Sequence, residues 1–304
     1  MSTGQTVVGG PVAAPFQPPS LARRALDGVR DFSRRKPLGA FGAGVLVILV
    51  LLAAFAELAA PYDPISHDAS VELQSPSFAH PAGTDQFGRD VFSRVIFGAR
   101  TSLYVGVFVT LAAVVPAIAL GMVSAYFGGW IDYLLQRVVD TIQSVPYLIM
   151  LIAIMVVLGP SLVNVVIALS FRRAIVESRV MRGATMAILN QTFIEAARAS
   201  GATDLRIMVR HLVPNIMPTV IVIGSIGFGG VILAEASLSF LGYGVPPPTP
   251  SWGGMLAADG RAYMYAAPWM IIAPTVALAL VVFGVNMFGD ALRDVLDPRL
   301  RGST

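Results

Sequence analysis

The constraint that dominates this sequence is its division into six apolar runs, at about residues 38–60, 102–127, 138–158, 160–180, 216–240 and 268–289. A helix needs ~20 predominantly apolar residues to cross hydrocarbon, whereas a signal-peptide core has roughly 7–15. The first run exceeds both and reads as a retained anchor, against the alternative of a cleaved signal. Charged residues make up 13% of the chain, about half their share in an average soluble domain, so lipid is its main solvent. The predicted fold class is an all-α integral membrane protein with six transmembrane helices and both termini on one side.

Charge placement supports that count, because cytoplasmic flanks collect Lys and Arg. Residues 1–20 read as a disordered tail rich in Gly, Pro, Ser and Thr. Arg23, Arg24, Arg30, Arg34, Arg35 and Lys36 follow, interleaved with Leu21, Leu26, Val29 and Phe32, a pattern that suits a helix on an anionic leaflet. Arg137 marks a loop near 128–137, and Arg293, Arg299 and Arg301 mark the C-terminus. The segment 172–211 adds Arg172, Arg173, Arg179, Arg182, Arg198, Arg206 and Arg210. Only Arg89, Arg94, Arg100 and Arg261 remain for the opposite side. The resulting division is a cytoplasmic basic tail at 1–37, a first transmembrane helix at 38–60 and an extracytoplasmic segment at 61–100. A membrane core at 101–291, with a cytoplasmic loop at about 181–215, and a cytoplasmic C-terminus at 292–304 complete it.

The fourth run is the weakest, because Arg172, Arg173 and Glu177 interrupt it. Deleting it would turn the seven-arginine segment outward, so it is retained, emerging early or lying against protein. Prolines 116, 146, 218 and 274 fall in or beside the runs, where each removes a backbone donor and tends to kink its helix. The pairs Ser225 with Gly229 and Gly230 with Ala234 let helix backbones approach closely.

Several chemistries are excluded. Cysteine is absent, so there is neither a disulfide framework nor a thiolate metal site. His67, His80 and His211 lie far apart, none begins an H-E-x-x-H, and Asp85 and Asp90 are spaced for turn and cap formation rather than for a calcium loop; no metal is expected. The only lysine, Lys36, precedes Pro37, so there is no Walker A loop and the chain cannot itself hydrolyse ATP. The net charge of +3 does not point to nucleic acid, because the basic residues fall beside apolar spans. A hydrolase reading lacks G-x-S-x-G and facing intramembrane aspartates. A secondary transporter would need ionisable groups near the midplane, and Glu57, Glu235 and Asp290 all lie near span ends.

The segment from Asn190 to Asn215 carries the most information. Thr192 and Glu195 have capping-box spacing, so a helix is predicted to start there and to stop at Gly201. Thr203 or Asp204 can cap a second short helix, which Pro214 is expected to end. The outcome is a helix-turn-helix held between two spans; both flanks enter the bilayer, which disfavours DNA binding. Glu195 either caps a helix or contacts a partner.

Glu195-Ala196-Ala197, Gly201, His211 and Val213-Pro214 together resemble the EAA loop of binding-protein-dependent ABC importer permeases, with His211 and Val213 where that family usually has Ile and Leu. The stretches 80–90, 235–244, 246–253 and 289–301 are similar to C-type subunits of dipeptide and oligopeptide permeases. The resemblance runs from about residue 34 to the C-terminus and departs at Phe171–Arg179, where the family usually has an aromatic and then Tyr-Ala-Arg.

The resemblance implies a type I ABC importer permease fold with cytoplasmic coupling helices. It also implies that the chain is non-catalytic and forms half of a pathway for dipeptides or oligopeptides, with nickel chelates, glutathione or another small solute as alternatives. It implies no cofactor on this chain, and ATP with Mg on one or two separate nucleotide-binding subunits. Further implied partners are a second homologous permease, an extracytoplasmic solute-binding protein and membrane lipid. Glu195, Ala196, Ala197, Arg198, Gly201, Asp204 and Pro214 would serve ATPase coupling, with Glu235, Ser237 and Asn286 as pathway or gate candidates. Glu235 is too costly to face lipid and is expected either in a structural hydrogen bond or on the substrate. Residues 241–267, with Trp252, Tyr263 and Tyr265, read as an outer loop with an aromatic interfacial belt.

Overall fold

The structure, a computed structural model, describes residues 30–296. The tail at 1–20, Arg23 and Arg24 of the basic stretch, and Arg299 and Arg301 lie outside the described residues. The described residues divide into two units after Pro37. In the first, residues 30–35 are helical.

The second unit is built of helices, which long apolar segments favour because a helix satisfies its own backbone groups in lipid. Those of eight residues or more are, in chain order, α1 (Pro37–Ala54), α2 (Val91–Phe127), α3 (Gly129–Ser144), α4 (Tyr147–Leu158), α5 (Leu162–Leu189), α6 (Thr192–Ala199), α7 (Asp204–Phe240) and α8 (Trp269–Leu296). Four of them, α1, α2, α7 and α8, are long and apolar enough to cross a membrane, and a fifth crossing results if the bent pair α3–α4 counts as one span. Helix α5 has the length, 28 residues, but carries Arg172, Arg173, Glu177, Arg179 and Arg182.

Three expectations change here. The run predicted at 138–158 is not one straight rod: α3 and α4 meet at 91° across Val145 and Pro146. Pro146 cannot donate to a preceding turn and keeps Val145 extended, at φ −76° and ψ 128°. Pro116, Pro218 and Pro274, by contrast, lie inside continuous helices. The loop expected near 128–137 is helical, because Asp132, Gln136, Val139 and Gln143 recur at helical spacing on the inward side while Trp130, Tyr133, Leu134 and Val138 face outward. Finally, the second span begins at Val91 rather than near 102. Asp90 caps it, accepting from the Ser93 N–H at 2.8 Å and the Ser93 hydroxyl at 2.7 Å, while His80 Nδ1 lies 2.9 Å from the other Asp90 oxygen. At about 1.5 Å per residue α2 is about 55 Å long, and ~30 Å of that suffices for hydrocarbon.

The bundle has two elaborated ends. At one, Asp85 accepts from the Phe87 and Arg89 N–H groups and from Arg89 Nε at 2.6 Å, the turn its spacing suggested. Trp269 Nε1 donates to the Thr84 carbonyl, and Glu57 and Arg100 form a two-pronged pair of 2.5 and 2.7 Å. The Arg100 guanidinium holds the Glu57 carboxyl down to about 2, so the pair stays ionised across working pH. Trp252 is not the interfacial anchor expected of it. It is buried at 2% exposure, packs on Gly98 and donates from Nε1 to the Val95 carbonyl at 2.9 Å. With Leu49, Ala99, Ile232, Val281 and Val285 it joins α1, α2, α7 and α8 in one core. Of the small-residue pairs, Gly229 packs closely on Asn286 of α8, whereas Gly230 meets nothing within 4 Å. A closer approach passed unnoticed in the sequence, Gly42 of α1 against the Gly284 carbonyl of α8.

A side chain at Gly98 has no room, since its Cβ would stand 2.7 Å from Trp252 Cδ1. Gly98→Val is therefore expected to expel the indole, costing about 1–3 kcal/mol as overpacking does. Thermal unfolding of the purified protein with tryptophan fluorescence should report a lower midpoint and a more solvent-exposed indole; an unchanged midpoint and spectrum would contradict this packing.

Candidate functional site

The opposite end of the bundle is where α2, α5, α6 and α7 meet. Ile194 of α6 and Ile207 and Leu212 of α7, all fully buried, pack with Met122 at the end of α2. Ile188 and Leu189 of α5 close the cluster. The loop between the fourth and fifth runs is thus anchored to the bundle by apolar contacts at helical spacing, while Phe193, Glu195, Leu205 and Val209 remain exposed.

Gly201 adopts φ +77°, as its position suggested. The Gly201 N–H donates to the Arg198 carbonyl at 2.9 Å and the Ala202 N–H to the Ala197 carbonyl at 3.1 Å. This pair of bonds satisfies the end of α6 and fixes the angle of the turn. Thr203 caps α7 by accepting from the Arg206 N–H. Tyr126, at the end of α2, binds both limbs of the turn. Its hydroxyl donates to Asp204 at 2.6 Å, and the Arg198 guanidinium lies 5.6 Å from its ring centre.

Two predicted details of this loop do not hold. The first cap is Gln191 rather than Thr192, and it makes no side-chain cap bond, so the expected capping box does not form. Glu195 is left exposed on the surface of α6. Pro214 does not end the second helix either. A π-helical turn at Met208–Leu212, in which the Val213 N–H donates to the Met208 carbonyl, carries the backbone into Val213–Phe240. Pro214 then sits in the first turn of that next segment, where its missing N–H does little harm. The result is one rod of 37 residues, Asp204–Phe240, running from the turn through the apolar bundle.

A second group of charges ties α3 and α5 together nearby. Arg182 donates to both Asp132 oxygens, at 2.7 and 2.6 Å, and the Ser124 hydroxyl also meets Asp132. Arg179 pairs with Asp140. Halfway along α5, Arg173 Nε donates to Glu177 at 2.6 Å, with both side chains about nine-tenths buried. This part of α5 lies against protein, Gly121 of α2 admitting the backbone of Ser178. The i, i+4 spacing of Arg173 and Glu177 was the available signal for this pair; Tyr126 with Asp204, 78 residues apart, left none.

The pathway candidates are not brought together. Glu235 is fully buried and accepts from the Ser239 hydroxyl at 2.7 Å, and Ser239 in turn accepts from the Val245 N–H at 3.1 Å. The other Glu235 oxygen, Oε2, is buried with no hydrogen-bond partner among the described residues. The Ser237 hydroxyl donates to the Leu233 carbonyl of its own helix, and Asn286 lies against Gly229. Among the described residues no group of three or more His, Cys, Asp or Glu is placed to hold a metal.

Residues 117–302 match the family described as binding-protein-dependent transport system inner membrane component, and residues 27–76 match the N-terminal transmembrane domain of oligopeptide transport permease C. The chain is 39% identical over 268 residues to the dipeptide transport system permease protein DppC of Alkalihalophilus pseudofirmus, covering 88% of each chain. It is also 39% identical over 270 residues to the glutathione transport system permease protein GsiD of Escherichia coli, covering 88% of this chain and 89% of the relative. Among solved structures, an inward-facing form of the MetNI methionine ABC transporter matches 68% of this chain and 97% of the other, with a TM-score of 0.55 at 20% identity. That likeness bears on the fold alone.

Because Ile194 is the buried tether of α6, Ile194→Ala is expected to loosen the turn by about 2–5 kcal/mol. Amide hydrogen exchange should then speed up across residues 192–204 and not in α8; unchanged protection in 192–204 would mean that the tether lies elsewhere.

Proposed function

Since the chain belongs to the family of binding-protein-dependent transport system inner membrane components, we propose that it forms half of the translocation pathway of an ATP-driven importer of dipeptides or oligopeptides. As a member of that family it is a multi-pass permease subunit of an ABC importer, and the family implies ATPase and binding-protein partners. The finer reading has a second homologous permease completing the pathway. One or two nucleotide-binding subunits carry ATP and Mg, and this chain holds no cofactor. Both termini and the Gly201 turn face the cytoplasm, and the 61–100 and 241–267 segments face the binding protein.

The observation that carries this reading is the continuity of α7 from the turn to Phe240. A nucleotide-binding subunit that grips the exposed face of α6, with Glu195 and Ala196 in contact and Ala197 and Arg198 beneath, moves a stiff element. Gly201 fixes its angle, Asp204 ties it to α2, and Pro214 leaves it unbroken. Closure of the ATPase is thereby transmitted to the membrane helices rather than absorbed in a loop. The cargo reading is supported by the relatives, named for a dipeptide and for glutathione, both short peptides.

Proteoliposomes containing this chain, its companion subunits and its binding protein should take up dipeptide only with ATP inside the cytoplasmic-facing compartment. An ionophore should leave the rate unchanged; uptake that collapses with the ion gradient and persists without ATP would sink the proposal. Glu195→Ala is expected to lower uptake about tenfold, a loss on the order of 1.4 kcal/mol in coupling, while the assembled complex remains intact by size-exclusion chromatography. Undiminished uptake would remove Glu195 from the contact.

A further inference from the structure

We infer that Arg172, Arg173 and Glu177 form a polar waypoint inside the membrane for the carboxylate of the transported solute. The inference rests on the reading of this chain as half of a solute pathway. Arg172 lies 10 residues from the start of α5 and Glu177 lies 12 from its end, or about 15 and 18 Å along the axis. The group thus sits near the middle of α5. Charges there are costly against lipid and belong beside the bundle interior or a water-filled path.

The three side chains are incompletely matched. Arg173 and Glu177 neutralise each other at 2.6 Å, which leaves Arg172 in excess, its guanidinium 5.8 Å from the centre of the Tyr147 ring. Among the described residues ten buried side-chain polar atoms lack a hydrogen-bond partner, and four belong to this group: Arg172 Nε and Nη1, Arg173 Nη1 and Glu177 Oε2. Leaving such atoms unpaired costs on the order of 1–3 kcal/mol each, more for charged groups, so the arrangement fits an oxygen-bearing anion that comes and goes.

The facing helix is shaped to match. Arg173 Nη2 donates to the Ile223 and Gly224 carbonyls, at 3.3 and 3.4 Å, and a Cβ at Gly227 would lie 2.3 Å from the same nitrogen. Only glycine at 227 leaves Arg173 where it is. Beside it, a Cβ at Gly224 would be accommodated in ordinary contact with a Thr110 methyl at 3.6 Å, and the residue is partly exposed.

The chain has no cysteine, so a single Gly224→Cys variant, or Ser225→Cys should the first fail to assemble, can be probed cleanly in the full complex during ATP turnover. Two methanethiosulfonates of similar size, one anionic and one cationic, serve as reagents. The anionic one should react about tenfold faster, as expected in a cleft of one charge sign, and adding Arg172→Gln should abolish the preference. No reaction with either reagent, no preference, or a preference that survives Arg172→Gln would overturn the inference. A carboxylate of the second permease seated on Arg172 would give that null result. In uptake assays corrected for binding-protein affinity, Arg172→Gln should slow alanyl-alanine about tenfold and spare its C-terminal amide; equal slowing of both overturns the role in carboxylate handling. If the unaltered complex imports neither, the peptide cargo proposed above fails, while the thiol chemistry still decides this inference.

Discussion

Helix α5 is the element least suited to lipid, and sheltering it organises the others. Five charged side chains interrupt its apolar character, so it needs protein contact along most of its length. The solution is a close seam with α2, where Gly121 lets the two backbones approach and Ser102, Ser124, Ser170 and Ser178 are all buried. Small polar residues suit such seams because lipid tails compete poorly with tight backbone packing. Once α5 lies in that seam, its charges must find partners on whatever flanks it. Arg182 takes Asp132 and Arg179 takes Asp140, both from α3, which ties α3 to α5 ahead of the bend at Pro146. Arg173 takes Glu177 and the carbonyls of α7.

The all-helical class, the apolar runs and the turn at Gly201 were legible because each depends on local pattern: run length, helical period and the one residue type that accepts φ +77° without strain. What escaped was set by contacts between distant segments. Pro146 breaks its helix and Pro116 does not, although both read alike in sequence, because Pro146 follows a residue free to extend whereas Pro116 lies within a helix held by packing between Ala113 and Ala117. Trp252 was misread because an indole beside a proline-rich segment has the look of an interfacial anchor, and the pocket that Gly98 opens for it is 154 positions away in the chain. The capping box at Thr192 failed for a local reason: the Gln191 carbonyl already closes the first turn, accepting from Ile194 at 2.9 Å, so the helix begins one residue early.

The continuity of α7 links the two ends of the chain's chemistry. A helix that stopped at Pro214 would make the Gly201 turn a separate knob, free to rock without moving anything in the membrane. The π turn at Met208–Leu212 instead absorbs the register change that a proline imposes, and Ile207 and Ile216 on either side of it are fully buried. The same helix carries Ile223 and Gly224, whose carbonyls accept from Arg173, and Gly227, where a Cβ would collide with it. Those contacts are longer than the 2.6 Å bond between Arg173 and Glu177, so sliding of α7 against α5 breaks them first and leaves the ion pair in place. On the proposed reading, the motion driven at the ATPase then changes how many donors Arg173 offers near the middle of α5, and the group that grips an anion in one position of α7 holds it less firmly in the other.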